Sequence, residues 1–147
     1  ALRADPEVVW AAVGNDGTAL EHAAEALRGD RAVVLAAVNQ NGLSLGHAVE
    51  ELRRDPEVAL AAVTQNGWAL QFLDEELRAN KAVVLAAVRR EGRALTCAAR
   101  ELQADLEVAL AAVRSNEEAL AFVEEPLRSD ERVVKASNEG CARMIMM

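Results

Sequence analysis

The chain is predicted to be all-α, an α-solenoid of stacked two-helix hairpins. Three observations predict this. Segments of 25 residues starting at Ala1, Ala26, Glu51, Glu76, Glu101 and Pro126 align without gaps for five units, and the sixth begins in register before losing the pattern. Each unit carries a helix-start signal followed by a glycine-marked stop. Apolar residues make up 52% of the chain but aromatics only 3%, so the core must be built from Ala, Val and Leu. A short self-similar unit that cannot bury its apolar face alone stacks on its neighbours, so residues 1–147 read as a single helical-repeat domain.

The first helix of each unit starts at an Asp or Asn: Asp5, Asp30, Asp55, Asn80, Asp105 and Asp130. These side chains accept from the free N–H groups of a first helical turn. Pro6 and Pro56 follow, at the position where a missing N–H costs nothing. Glu7, Glu57 and Glu107 then favour the positive helix end. The body of the helix, as in Val58 to Val63, is apolar nearly all round and reads as buried on most sides. Trp10 stands where other units have Leu, and is expected to pack in the core.

The helix ends before Gly17, Gly42, Gly67 and Gly92, where a left-handed glycine would close the last turn. Glu117 replaces that glycine in the fifth unit, which predicts an altered turn or an extended helix there. A second, amphipathic helix is predicted from Trp68 to Arg78, with Leu70, Leu73 and Leu77 as its apolar stripe. The next cap, Asn80, follows almost at once, so the two helices form a tight αα-hairpin. Strand-like alternation is absent, and the period is too short for tetratricopeptide or ankyrin repeats.

Ala1-Leu2-Arg3 matches Ala26-Leu27-Arg28, the tail of a second helix, so the array is expected to be cut from a longer one. At the other end the pattern fails after Val134: Lys135 replaces Leu or Trp, and Asn138 replaces Val. The Met-rich end is expected to be a degenerate capping helix over the last apolar face.

The formal net charge of −8 disfavours binding to nucleic acid and to anionic lipid. No apolar stretch approaches the length of a membrane span. Cys97 and Cys141 are too few and too far apart for a disulfide framework or a zinc ribbon. His22 and His47 share one position of the unit, but stacked units separate such side chains by about 10 Å, too far for one metal ion. Phe72, Cys97 and Phe122 complete that position, which marks it as a packing site. No phosphate-binding loop, nucleophile elbow or zinc-protease string occurs. No cofactor, metal or catalytic set is therefore expected.

The candidate contact residues lie around the loops. Trp68 occupies a position that otherwise holds Thr18, Leu43, Arg93 and Glu118, a mixture that signals exposure. Leu43 and Trp68 on adjacent units would form an apolar spot, with Phe72 one turn further on. Arg89, Arg90 and Arg93 form a basic cluster beside Glu91, suited to an anion or an acidic partner. Exposed aromatics and arginines are favoured anchors of protein interfaces.

The recurring phrase Ala26-Leu27-Arg28, Asp30, Val33 to Val38, Asn41-Gly42 and Leu45 resembles the repeats of the domain of unknown function 4116 family. It recurs across nearly the whole chain, departing at Glu117 and after Val134. The resemblance implies a helical-repeat fold and an algal or protist source, and it carries no catalytic residues. The function expected is a non-catalytic protein–protein interaction or scaffolding module. The second expectation is a peripheral structural subunit of a large assembly, such as an algal photosynthetic membrane complex, which would place it in a plastid.

Overall fold

The structure, a computed structural model, describes residues 5–146, without the side chains of residues 13–15, 17–18 and 141–146. All regular structure among the described residues is helical. The chain runs through α1 (Pro6–Asn15), α2 (Glu25–Arg28), α3 (Arg31–Gln40), α4 (Glu50–Arg53) and α5 (Pro56–Gln65). It continues through α6 (Glu75–Arg78), α7 (Lys81–Arg90), α8 (Arg100–Gln103), α9 (Leu106–Ser115) and α10 (Glu131–Met146). The odd-numbered helices up to α9 are the first helices of the units. Each packs beside the next, and α10 closes the row against α9. Ala1-Leu2-Arg3, the sign of a cut array, lies outside the described residues.

The caps form as their chemistry requires. Asp30 Oδ1 accepts from the N–H groups of Ala32 and Val33 at 3.0 and 3.2 Å. Asp55 Oδ1 does the same for Glu57 and Val58 at 2.9 and 3.3 Å. Asn80 and Asp105 each accept from the third residue on, Val83 and Val108. At the other end an Asn both stops the helix and starts the next element. The Asn66 N–H donates to Ala62 O at 2.8 Å while its backbone turns extended. Its Oδ1 then accepts from the Trp68 N–H at 3.0 Å.

The second half of each unit is not one amphipathic α-helix. Residues Gly67–Phe72 form a 3₁₀ helix, the chain extends at Leu73 and Asp74, and only the single turn α6 is α-helical. The segments Gly17–His22, Gly42–His47 and Gly92–Cys97 repeat this, while Glu117–Phe122 is followed by a 3₁₀ turn, Leu127–Ser129, in place of the α-helical one. The reason is the apolar spacing. A 3₁₀ helix has three residues per turn, so Leu70 and Leu73 share one side without a fourth residue between turns. Leu77 is reached only after the backbone bends. The apolar stripe itself holds: Leu70, Leu73 and Leu77 are all buried.

The glycines serve contact between units. No described residue, glycine or other, has positive φ. A Cβ on Gly42 would lie 2.3 Å from Ala62 O of the next unit. On Gly67 it would lie 2.4 Å from Ala87 O, and on Gly92 2.2 Å from Ala112 O. These three 3₁₀ segments thus rest directly on the backbone at the end of the following first helix. Glu117 consequently leaves its own turn unaltered: α9 has the same ten residues and the same exit at Asn116 as its fellows. No left-handed geometry is needed there.

Polar groups stitch the same seam. Gln65 Oε1 accepts from the Gly42 N–H at 2.6 Å, and Gln65 Nε2 donates to Gln40 O at 3.2 Å. Ser115 Oγ accepts from the Gly92 N–H at 3.1 Å, and Arg90 Nε donates to Gln65 O at 3.2 Å. On the short-helix side, the Val49 N–H reaches Arg28 O and the Ala99 N–H reaches Arg78 O.

The core is the face where first helices meet the 3₁₀ row. Val33, Val34, Ala37 and Val38 are buried in α3, and Val83, Val84, Ala87 and Val88 in α7. Complete burial of one such valine contributes about 1.5–3 kcal/mol. The opposite face of the first helix is open. Trp10 is 43% exposed and Leu60 38%, so Trp10 is not a core residue. Leu35, Leu85 and Leu110, at the same position, are half-buried. The helix looks apolar all round only because alanines and this leucine line its outer side. Val8 is 42% exposed while its equivalents from Val33 to Val133 are buried, because each of those is covered by the preceding unit.

α10 runs for 16 residues where other first helices stop after ten. Its chain has Cys141 where the helix-stopping Asn41, Asn66 and Asn116 stand, so nothing diverts the backbone. Val133, Ala136 and Ser137 are buried where α10 packs on α9, while the side chains of the Met-rich end lie outside the described residues.

These contacts set opposite outcomes for two glycine-to-alanine changes. Gly67→Ala drives a methyl into Ala87 O and is expected to cost about 1–3 kcal/mol. Gly29 has φ −98° and no neighbour nearer than 3.5 Å, so Gly29→Ala is expected to stabilise by about 0.4–1 kcal/mol. Urea unfolding of the two variants beside wild type measures both.

Candidate functional site

The sequence-predicted contact residues fall into three places. Leu43, Trp68 and Arg93 are the second residues of successive 3₁₀ segments and occupy one row along the loop edge. Arg93 Nε reaches Glu118 Oε2, the next residue of the row, at 3.3 Å, so side chains of this row span adjacent units. Leu43 and Trp68 are half-buried, so each offers part of its surface.

Phe72 is turned elsewhere. Its ring lies on Gly46, where an added Cβ would come within 2.9 Å of it. It is a packing residue that covers the preceding 3₁₀ helix, and does not extend the Leu43–Trp68 spot. The basic cluster also divides. Arg90 is drawn back to Gln65 O, Arg93 is held by Glu118, and Arg89 points to the outer side of the first helices, where it lines a groove with Leu110 and Arg114. Glu91 compensates no arginine; its carboxylate accepts from the Arg93 N–H and starts the 3₁₀ turn in place of Asn.

The His22 and His47 position behaves as a partly covered surface site, with His22 exposed and His47, Phe72, Cys97 and Phe122 half-buried. Burial pushes the Cys97 thiol above its ordinary value, against the pull of the Arg78 charge. Such a thiol is a poor nucleophile at neutral pH. No cluster of three or more His, Cys, Asp or Glu gathers among the described residues. No helix among them is long and apolar enough to cross a membrane.

Sequence reasoning missed a set of residues that alternates from unit to unit. Arg31 Nε bonds Asp55 Oδ2 at 3.0 Å, and its guanidinium also holds Glu57. Two units on, Lys81 Nζ holds Asp105 at 3.1 Å and Glu107 at 2.9 Å. A cation at the first helical position of one unit thus clasps the cap and the first-turn Glu of the next. The sequence does carry a signal for it: Pro6-Glu7 and Pro56-Glu57 alternate with Arg31-Ala32 and Lys81-Ala82. Burial raises the Asp55 carboxyl, but Arg31 and the N–H groups of Val58 and Glu57 outweigh it and hold the group below its ordinary range. Asp105 follows the same balance, with the Val108 N–H and Lys81 prevailing over burial.

The fold and this ladder of inter-unit contacts define a helical-repeat protein. A family model described as "Domain of unknown function (DUF4116)" matches residues 5–53 and again residues 55–103. The chain belongs to this family. Each match spans two 25-residue units, which fits the alternation of proline and cation between odd and even units. Comparison with curated proteins and with solved structures gave no significant match.

The clasps predict an acid-sensitive stability. The folded pKa values of Asp55 and Asp105 lie below ordinary carboxylates, so their contribution is complete above about pH 4 and is lost as pH falls through the folded values. In the double variant Asp55→Asn, Asp105→Asn the caps remain and the charges go. It is expected to lose about 0.2–1 kcal/mol per site at neutral pH and to decline less steeply in acid. Urea midpoints from pH 6 to pH 2 test this; parallel profiles for the two proteins would contradict it.

Proposed function

We propose that the chain is a non-catalytic protein-interaction or scaffolding module. The observation that carries this reading is the contrast between buried and loop-edge positions. The positions of Val33, Ala37, Val38 and Leu45 hold the same residue through the first five units and are buried in the second, third and fourth. Between them, the row of Leu43, Trp68, Arg93 and Glu118 changes character at every step while its backbone stays fixed. A rigid ladder carrying a different side chain on each rung presents a defined pattern to a partner at little entropic cost on binding.

Leu43 and Trp68 are the apolar rungs and Arg93 the polar one beside them. A Trp flanked by an arginine is the composition of an interface anchor. The partner is read as a protein, since a net charge of −8 repels polyphosphate.

Affinity capture tests the reading. Wild type and Trp68→Glu are immobilised and exposed to lysate of the source organism, with circular dichroism confirming that both are folded. At least one protein retained by wild type is expected to be lost, or depleted about tenfold, with Trp68→Glu. Identical capture by the two folded proteins would remove Trp68 from the proposed interface.

A further inference from the structure

We propose that the groove between α7 and α9, on the outer side of the first helices, binds an acidic polypeptide segment that carries apolar residues between its carboxylates. The proposal deepens the interaction reading by naming a partner class, and it concerns a different face from Trp68.

The starting point is how the cations of this acidic chain are used. Arg31, Arg54, Lys81, Arg93 and Arg100 each hold a carboxylate. Arg90 is spent on a backbone carbonyl. Arg28, Arg53 and Arg78 are half-buried with Nε unpartnered, but the exposed Glu25, Glu50, Glu51, Glu75 and Glu76 of the same short helices make that edge repel anions. Arg89, Arg114 and Lys135 are different. They are exposed and make no hydrogen bond or ion pair among the described residues, and all three stand on the outer side of α7, α9 and α10.

The surface between them is concave and apolar at its floor. The groove between α7 and α9 has a volume of about 470 Å³; Leu110 and Ala111 lie in it, with Arg89 and Arg114 at its sides. The groove between α9 and α10, about 320 Å³, shares Leu110 and Arg114 and adds Lys135, but it also holds Arg132, already paired with Asp130, and the carboxylate of Glu139, so it favours an anion less than the first. Glu107, the acid of the first groove, is already engaged by Lys81. Arg89 and Arg114 hold the same position in adjacent units, so their helices are about 10 Å apart. Three residues of polyproline II chain cover that distance at about 3.1 Å each, and its three-residue turn returns the fourth side chain to the same side as the first. A segment of the pattern Glu-Leu-x-Glu would therefore set one carboxylate on each guanidinium and its Leu on Leu110.

Charge and composition choose a peptide over a nucleic acid or a membrane. Before these units the same outer side carries Glu7 and Glu57 and, among the described residues, no free cation, so a long polyanion would be repelled along most of its length. The groove also offers no aromatic ring on which a base could stack. A short acidic segment in the groove between α7 and α9 meets Arg89 and Arg114, with Glu107 already held by Lys81.

The test is fluorescence anisotropy at low ionic strength with a labelled peptide of three Glu-Leu-Ser repeats, beside counterparts with Gln or Lys in place of Glu. Wild type is expected to bind the Glu peptide, to release it as salt is raised, and to bind neither counterpart. Arg89→Glu, Arg114→Glu is expected to weaken binding at least about tenfold, with Arg89→Gln, Arg114→Gln as the milder pair should the first fail to fold. Trp68→Glu is expected to bind unchanged, so this site and the loop edge fail separately. The proposal is overturned by absence of binding, by equal binding of the Gln peptide, or by wild-type affinity in a folded double variant. Preference for an oligonucleotide or an anionic phosphatidylserine vesicle over the Glu peptide overturns it as well.

Discussion

The approach of each 3₁₀ segment to the backbone of the next first helix is the contact on which the rest depends. Gly42, Gly67 and Gly92 leave no room for a Cβ against Ala62 O, Ala87 O and Ala112 O. The closeness also requires alanine at the facing helix positions, and Ala37, Ala62, Ala87 and Ala112 are fully buried there. Small residues at this seam bring the larger side chains on either side, Val38 and Leu45 or Val63 and Leu70, into the same core. A core nearly free of aromatics can be dense because its elements are this close.

The same proximity organises the polar groups. A first helix exposes its last carbonyls and the following glycine its N–H, and residues of the next unit meet them: Gln65 for Gln40 and Gly42, Ser115 for Gly92. At the opposite helix end, Arg31 and Lys81 clasp the caps of the next unit. Hydrogen bonding is thus completed between units as well as within them. Cations employed this way are unavailable to ligands. The exposed cations that pair with nothing among the described residues, Arg89, Arg114 and Lys135, collect on the outer side of α7, α9 and α10.

Much of this is legible in the sequence, for definite reasons. The cap position of Asp30, Asp55 and Asn80 is a local interaction between a side chain and its own backbone, so sequence reveals it directly. The period reveals which residues are equivalent. Sequence is less informative about what equivalent residues face. Gly67 reads as a turn residue because that is the commoner use of glycine; its role in contact depends on Ala87 of another unit. Trp10 reads as core because an apolar residue among alanines looks buried, yet the helix has an open side set by which neighbours it lacks. The division of the second helix arises from a three-residue spacing that an α-helical stripe also contains. Asp74 gives a local signal for the restart, accepting from the Leu77 N–H, but Ala24, Val49 and Ala99 at that position give none. Among the candidate contacts, Trp68 and Leu43 share a row as their position implies, while adjacency in sequence misleads for Arg89, Arg90 and Arg93, which three different partners or surfaces pull apart.

Stability carried by seams between units, and only secondarily within them, has a spatial signature. Native-state hydrogen exchange on the full chain reads it residue by residue. With Gly67→Ala, the buried amides of α5 and α7 are expected to lose protection together and by similar amounts, because Gly67 joins the unit of α5 to Ala87 in α7. A loss confined to the 3₁₀ segment Gly67–Phe72, with α5 and α7 as protected as in wild type, would contradict the account.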